Sequence, residues 1–161
     1  MGLFIIIIAI VVIILQLIFT KKPRTKEHVL RIILLNYLVF IIGVSGIFGF
    51  LGHTFMAAEI AESIGWQPGS PFQFEVAGAN LAVGVAGILC IWFKDKFWLA
   101  TILINGIFLW VAAVGHIRQI ITAHDYAPNN AGFILYTDII FPIVGIILYI
   151  LYQKALKTQT A

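Results

Sequence analysis

The chain has 161 residues, of which 61% are hydrophobic and only 11% are charged, and its net charge is +3. Its mean hydropathy is +1.05. A soluble domain could not bury so much apolar surface, so this composition excludes a soluble globular protein and indicates that lipid is the main solvent. We interpret the positive charge as a signal of membrane topology and expect no nucleic-acid partner.

Five apolar segments cover most of the chain: residues 2–20, 29–52, 72–93, 97–121 and 133–153. At about 1.5 Å per residue, each is long enough to cross a hydrocarbon core of roughly 30 Å. We therefore predict an all-α fold, a polytopic membrane helix bundle with five transmembrane helices. No linker or low-complexity stretch interrupts residues 1–161, which we treat as a single membrane domain.

The first segment, residues 2–20, is predicted to be a retained anchor helix at the periphery of the bundle. No basic residue precedes it and no A-x-A-like site ends it, so it does not fit a signal peptide. It is rich in Ile and Val, and Gln16 is its polar residue. A single cysteine, Cys90, excludes a disulfide framework and is expected to pack as a small apolar residue.

Basic residues are concentrated on one side of the predicted bundle. Short loops rich in Lys and Arg stay in the cytoplasm, so we predict an outer N-terminus and a cytoplasmic C-terminus in a bacterial or archaeal cytoplasmic membrane. Residues 21–28, 94–96 and 154–161 are then cytoplasmic, and Arg118 alone lies at the opposite ends. The nine basic residues of the cytoplasmic side are Lys21, Lys22, Arg24, Lys26, Arg31, Lys94, Lys96, Lys154 and Lys157.

Small residues on the third segment predict close helix packing, because they let neighbouring backbones approach. For this reason we expect the third segment to be the central helix. Its two stripes of small residues are Gly78, Ala82 and Ala86 on one side and Ala79, Val83 and Gly87 on the next.

The second and third segments correspond to the fourth and fifth at an offset of 63 residues. This correspondence predicts that residues 29–93 and 97–153 are a duplicated two-helix hairpin, with parallel repeats. In both halves an acid follows a histidine by 22 residues. The matched positions are Gly43 with Gly106, Gly52-His53 with Gly115-His116, Glu62 with Asp125, Gly69 with Gly132 and Glu75 with Asp138.

Four titratable side chains fall near the outer helix ends at similar predicted depth: His53, Glu75, His116 and Asp138. Two imidazoles and two carboxylates could bind a divalent metal, share protons or bind a polar headgroup. The alternative is that helix dipoles and interhelical hydrogen bonds explain these residues without any ligand. Asn80 is a further ligand-binding candidate.

A haem reading would use His53 and His116 as facing axial ligands. Nothing else in the sequence supports haem, so the cofactor stays unknown. The amides of Asn36, Asn80 and Asn105 lie inside the spans, where we expect them to join helices by hydrogen bonds.

Residues 53–88, HTFMAAEIAESIGWQPGSPFQFEVAGANLAVGVAGI, resemble the DoxX-like family of small helical membrane proteins, or a neighbouring uncharacterised membrane family. The shared features are a helix ending in AESIGWQPGSP and a glutamate followed by small residues. The resemblance implies a four-helix bundle with redox partnerships or assembly roles in the membrane. Only Glu75 and the Gly65-Trp66 turn carry over, and the additional N-terminal helix departs from the family pattern.

Two classes of function remain open at this point. In the first, the protein is an accessory or assembly component that contacts membrane lipids and other membrane proteins, or forms an oligomer, through its small-residue faces. In the second, it is a membrane oxidoreductase-type or small-ligand or metal-binding protein that uses the four-residue cluster. No catalytic motif decides whether it is an enzyme.

Overall fold

The computed structural model describes residues 2–160, with side chains as far as residue 158, and all regular structure in this part of the chain is helical. Five of the six helices are long and apolar enough to cross a membrane, so the chain is an integral membrane protein. The all-α fold with five membrane helices is therefore confirmed. The helices are α1 (Gly2–Phe19), α2 (Lys26–Phe55), α3 (Ala57–Ile64), α4 (Phe72–Leu89), α5 (Lys96–Ala123) and α6 (Phe133–Thr160).

Several helix ends differ from the predicted segments. The second helix begins and ends three residues beyond the apolar run 29–52, and the last continues past residue 153 to Thr160. Hydropathy reports the part of a helix that contacts lipid, and a helix can extend beyond that part into the polar layer. The short helix α3 follows α2 almost directly, and Met56, whose backbone is not helical (φ −128°, ψ 41°), separates the two.

The central helix is α2, and the prediction that the third segment is central was wrong. All the other long helices contact α2. The helix of the third segment, α4, packs mainly on α2 and makes few contacts with α5. The physical reason lies in the glycines of α2, which meet glycines of α4. A Cβ atom at Gly46 would lie 2.7 Å from the Cα of Gly84, and one at Gly87 would overlap the backbone of Gly43. The two backbones are therefore in direct contact.

A π-helical segment, Tyr37–Val44, lies in the middle of α2 and faces α6 at its proline. The hydroxyl of Tyr37 donates to the carbonyl of Phe141 at 2.7 Å, next to Pro142, which interrupts the hydrogen bonding of α6. The phenol ring fits against Gly145, where a Cβ atom would lie 2.8 Å from the hydroxyl oxygen. This contact joins α2 and α6 through a polar group inside an apolar layer.

The helix α1 is peripheral, with only Ile5 and Ala9 buried. A hydrogen bond from Asn36 Nδ2 to Gln16 Oε1, at 2.9 Å, joins it to α2. The predicted role of Asn36 in joining helices is therefore confirmed. A second contact, 3.0 Å between Thr20 Oγ1 and His28 Nε2, holds the end of α1 against the start of α2.

The hydrophobic core includes the end of α4 and the start of α5. Cys90 is fully buried, and its Sγ lies 3.6 Å from Thr101 Oγ1. Cys90 thus packs as a small buried residue, as expected. The buried cluster contains Leu34, Tyr37, Leu38, Ile42, Val83, Cys90, Trp98, Ile102 and Tyr152.

Candidate functional site

A buried polar trio occupies the predicted outer end of α5 and α6. His116 on α5 lies with its Nε2 3.7 Å from a carboxylate oxygen of Asp138 on α6. Its other ring nitrogen, Nδ1, lies 2.7 Å from Oδ1 of Asn130 in the preceding loop. All three residues are buried, and Asn130 is completely so. The structure therefore brings together one of the two predicted His–acid pairs.

The hydrogen bonds define which nitrogen of His116 carries a proton. The amide nitrogen of Asn130 donates to the carbonyl of Asp125 at 2.7 Å, and a carbonyl can only accept. The amide oxygen of Asn130 must then face Nδ1 of His116, which has to be the donor. The second nitrogen, Nε2, is left to face the Asp138 carboxylate. A proton on either Nε2 or the Asp138 carboxyl group would make the two groups complementary.

The loop of residues 124–132 also docks on the end of α3. Asn129 uses its side chain to bond Ser63 Oγ at 2.9 Å and its backbone N–H to bond the Ser63 carbonyl at 3.0 Å. Gly65 ends α3 in the left-handed region, with φ +83°. A Cβ atom at Gly65 would overlap the carboxylate of Asp125. These contacts join α3 and Gly65 to the loop of residues 124–132. We call this unit, together with His116 and Asp138 below it, the polar cap.

The Gly65-Trp66 turn, which the family resemblance singled out, forms the C-cap of α3. The N–H of Trp66 bonds the Ala61 carbonyl at 2.8 Å, and that of Gly65 bonds the Glu62 carbonyl at 3.1 Å. This pair of bonds, with glycine in the left-handed conformation, is the Schellman motif. The indole of Trp66 lies over His53, with ring centroids 6.3 Å apart.

His53 and Glu75 do not pair, although His116 and Asp138 do. Nδ1 of His53 accepts a hydrogen bond from Gln73 Nε2 at 3.3 Å, and the same nitrogen of Gln73 donates to the Ala57 carbonyl at 2.7 Å. Gln73 is buried and Glu75 is exposed in the first turn of α4, where it makes no hydrogen bond or ion pair with the described residues. For Glu75, attraction to the positive end of the helix dipole is explanation enough.

Two predicted amides do not join helices. Asn80 donates to the Val76 carbonyl of its own helix at 2.9 Å, and its side chain packs against Gly49. Asn105, on α5, is 7% exposed, and its side chain has no hydrogen bond with the described residues. Its amide atoms keep some exposure, because the one fully buried side-chain polar atom without a hydrogen-bond partner among the described residues is Thr54 Oγ1.

The predicted metal site is not assembled in the described part of the chain. No group of three or more His, Cys, Asp or Glu residues there is placed to hold a metal ion. His116 already uses both ring nitrogens, for Asn130 and Asp138, so a metal or haem iron could bind it only after one contact breaks. His53 is bonded to Gln73 and is not part of the same cluster.

Sequence reasoning missed Gln73, Ser63 and Asn130 as site residues. Asn130 belongs to a loop, Pro128 to Gly132, that looked like ordinary turn chemistry. Its burial depends on a tertiary contact that hydropathy does not report. The only available signal for Gln73 was an amide within the first turn of an apolar helix.

The α4 stripes of small residues have different environments. On one stripe Val83 and Gly87 are buried, and Gly87 lies directly against Gly43 of α2. On the other stripe, a Cβ atom at Gly78 would meet nothing within 4 Å, and Ala82 is exposed. Beside Ala82, a shallow groove of about 150 Å³ lies between α4 and α5. Its lining residues are Ala82, Val83, Ala86, Thr101 and Ile104.

Comparison with known proteins places the chain in a family by its match to a family model. No curated protein and no solved structure matches the chain. The family model is described as a family of unknown function, DUF6790, and it matches residues 1–158. Because the match covers nearly all of its length, the chain belongs to the DUF6790 family, whose function is unknown.

Proposed function

We propose that this protein is an accessory or assembly component of the membrane that binds a transmembrane helix of a partner protein. The proposed docking face is the open stripe of α4, Gly78, Ala82 and Ala86, together with the adjoining groove against α5. The observation that carries the proposal is the open space at this stripe. On the other stripe of small residues, Gly87 is already covered by α2.

A helix is the best occupant on chemical grounds. Residues spaced by four, with side chains no larger than a methyl group, let a second helix backbone approach closely. A lipid chain gains nothing particular from such spacing. Asn105 supports the same choice, because it lies one turn after the groove residue Thr101 on the same face of α5 and makes no hydrogen bond with the described residues. An acyl chain has no group to bond an amide, whereas a helix can supply a backbone carbonyl or a polar side chain.

The remaining polar residues support an interaction role rather than a ligand site. The trio of His116, Asn130 and Asp138 is closed by its own contacts. His53 is held by Gln73. In both places the polar side chains bond to one another. Buried polar side chains in a membrane bundle are expected to pair in this way.

A photo-crosslinking amino acid at Ala82, introduced into the full chain in its native membrane, tests the proposal. We expect a discrete protein adduct on irradiation. A second copy as partner would give an adduct near twice the 17.9 kDa mass of the chain, and another protein would give another mass. The matched control is the same amino acid at Ile147, which is exposed on α6 and remote from the stripe in sequence.

The stripe itself is tested by enlarging it. Ala82→Leu should abolish the adduct formed from a crosslinker at Ala86, because the extra side chain keeps a partner backbone away. Val144→Leu, an enlargement on the exposed side of α6, should leave it intact. Lipid adducts alone at Ala82, or equal protein adducts at Ala82 and Ile147, would rule the proposal out.

A further inference from the structure

The turn between α1 and α2 presents an unpaired basic surface. Lys21, Lys22, Arg24 and Lys26 are all exposed. None of the four has an acidic group within 4.0 Å in the described part of the chain. The nearest acid in sequence, Glu27, follows all four. We call Lys21, Lys22, Arg24 and Lys26 the basic turn.

Hydrogen bonds hold the backbone of this turn in a defined shape. Thr20 Oγ1 accepts from the N–H of Lys22 at 3.3 Å and lies 3.0 Å from Nε2 of the buried His28. Thr25 caps α2 by accepting from the N–H of His28 at 3.2 Å. Pro23 restricts the backbone between these two contacts. The backbone that carries the four basic side chains is therefore already ordered, so binding a ligand costs less conformational entropy.

The turn also lies where two membrane helices meet the polar layer. It begins two residues after Phe19, the last residue of α1, and precedes the apolar part of α2. In a bilayer this level contains the lipid phosphate groups. Basic residues at such a position attract anionic headgroups, and the attraction extends over about a Debye length.

From the exposure, the absence of acidic partners and the position at the end of two spans, we infer that the basic turn binds the phosphate groups of anionic phospholipids. The inference is independent of the helix-docking proposal, because it concerns a different surface. The comparable turn between α4 and α5 is a weaker candidate. It also has two lysines, Lys94 and Lys96, but Asp95 stands between them.

Native mass spectrometry of the full-length protein in detergent, titrated with phosphatidylglycerol or phosphatidylcholine, tests this inference. We expect tighter binding of phosphatidylglycerol. Each cation removed should weaken that binding about fivefold, so Lys21→Gln with Lys22→Gln should weaken it about 25-fold. The matched control is Lys94→Gln with Lys96→Gln, for which we expect less than about a threefold change.

Three results would overturn the assignment. The first is equal affinity of the wild-type protein for the two lipids, and the second is an equal loss in the two double variants. The third is displacement of phosphatidylglycerol by inorganic phosphate at a similar concentration, which would point to free phosphate instead. The single variant Lys22→Gln, with an expected fivefold loss, serves if the double variant does not fold.

Discussion

Replacement of Asn130 by alanine should be the most informative test of the polar cap. The Asn130 side chain is fully buried and makes two hydrogen bonds. Its amide nitrogen donates to the Asp125 carbonyl at 2.7 Å, and its oxygen lies 2.7 Å from Nδ1 of His116. Alanine removes both bonds and leaves a buried imidazole N–H and a carbonyl unsatisfied.

The expected loss is large for a single loop residue. Each buried polar group left without a partner costs about 1–3 kcal/mol. Water entering the vacated space would recover part of this cost. We therefore expect Asn130→Ala to lower the free energy of unfolding by about 3 kcal/mol. The loss should also loosen the orientation of His116 towards Asp138.

The adjacent residue supplies a matched control. The side chain of Asn129 makes one hydrogen bond, to Ser63 Oγ at 2.9 Å. Its backbone bond to the Ser63 carbonyl survives replacement by alanine. Asn129→Ala should therefore lower the free energy of unfolding by about 1 kcal/mol or less. Both variants would be compared by reversible unfolding in mixed micelles of a mild detergent and SDS, followed by tryptophan fluorescence. Equal losses for the two variants, or a loss below about 0.5 kcal/mol for Asn130→Ala, would refute the reasoning.

Two further predictions concern the cap and the topology. Gly65→Ala should lower the free energy of unfolding more than Gly69→Ala, because both glycines have positive φ but only Gly65 lies against the Asp125 carboxylate; equal losses in the same unfolding assay would contradict this. A cysteine at Asp95, in a chain with Cys90 replaced, should resist an impermeant thiol reagent added from outside, and strong labelling would reverse the predicted orientation.

The sequence determined the class of the protein and the approximate positions of its spans. Apolar runs report on lipid contact directly, and the start of α4 at Phe72 and of α6 at Phe133 agree with the predicted segments. The sequence also indicated that His116 and Asp138 could meet, since both residues fall at similar depth on the fourth and fifth spans. Length and hydropathy are local properties of the sequence, so they predict the spans without knowledge of how the helices pack.

Helix rotation was decided only by the tertiary structure. Gln73 and Glu75 are two residues apart, which places them roughly 200° apart around α4. With Gln73 turned to His53, Glu75 must face outward. The apolar pattern of a membrane helix is too uniform to choose between these orientations. For that reason Glu75 and Asp138, matched at one offset, occupy different environments, and duplication of the hairpin remains a prediction.

The centre of the bundle and the polar cap likewise depended on contacts between distant parts of the chain. Both α2 and α4 carry small residues, and only their mutual packing shows that α2 is the hub. Ser63 and Asn129 meet across 66 positions of sequence. Such contacts are decided by how complete helices fit against one another, which a local pattern of residues does not contain.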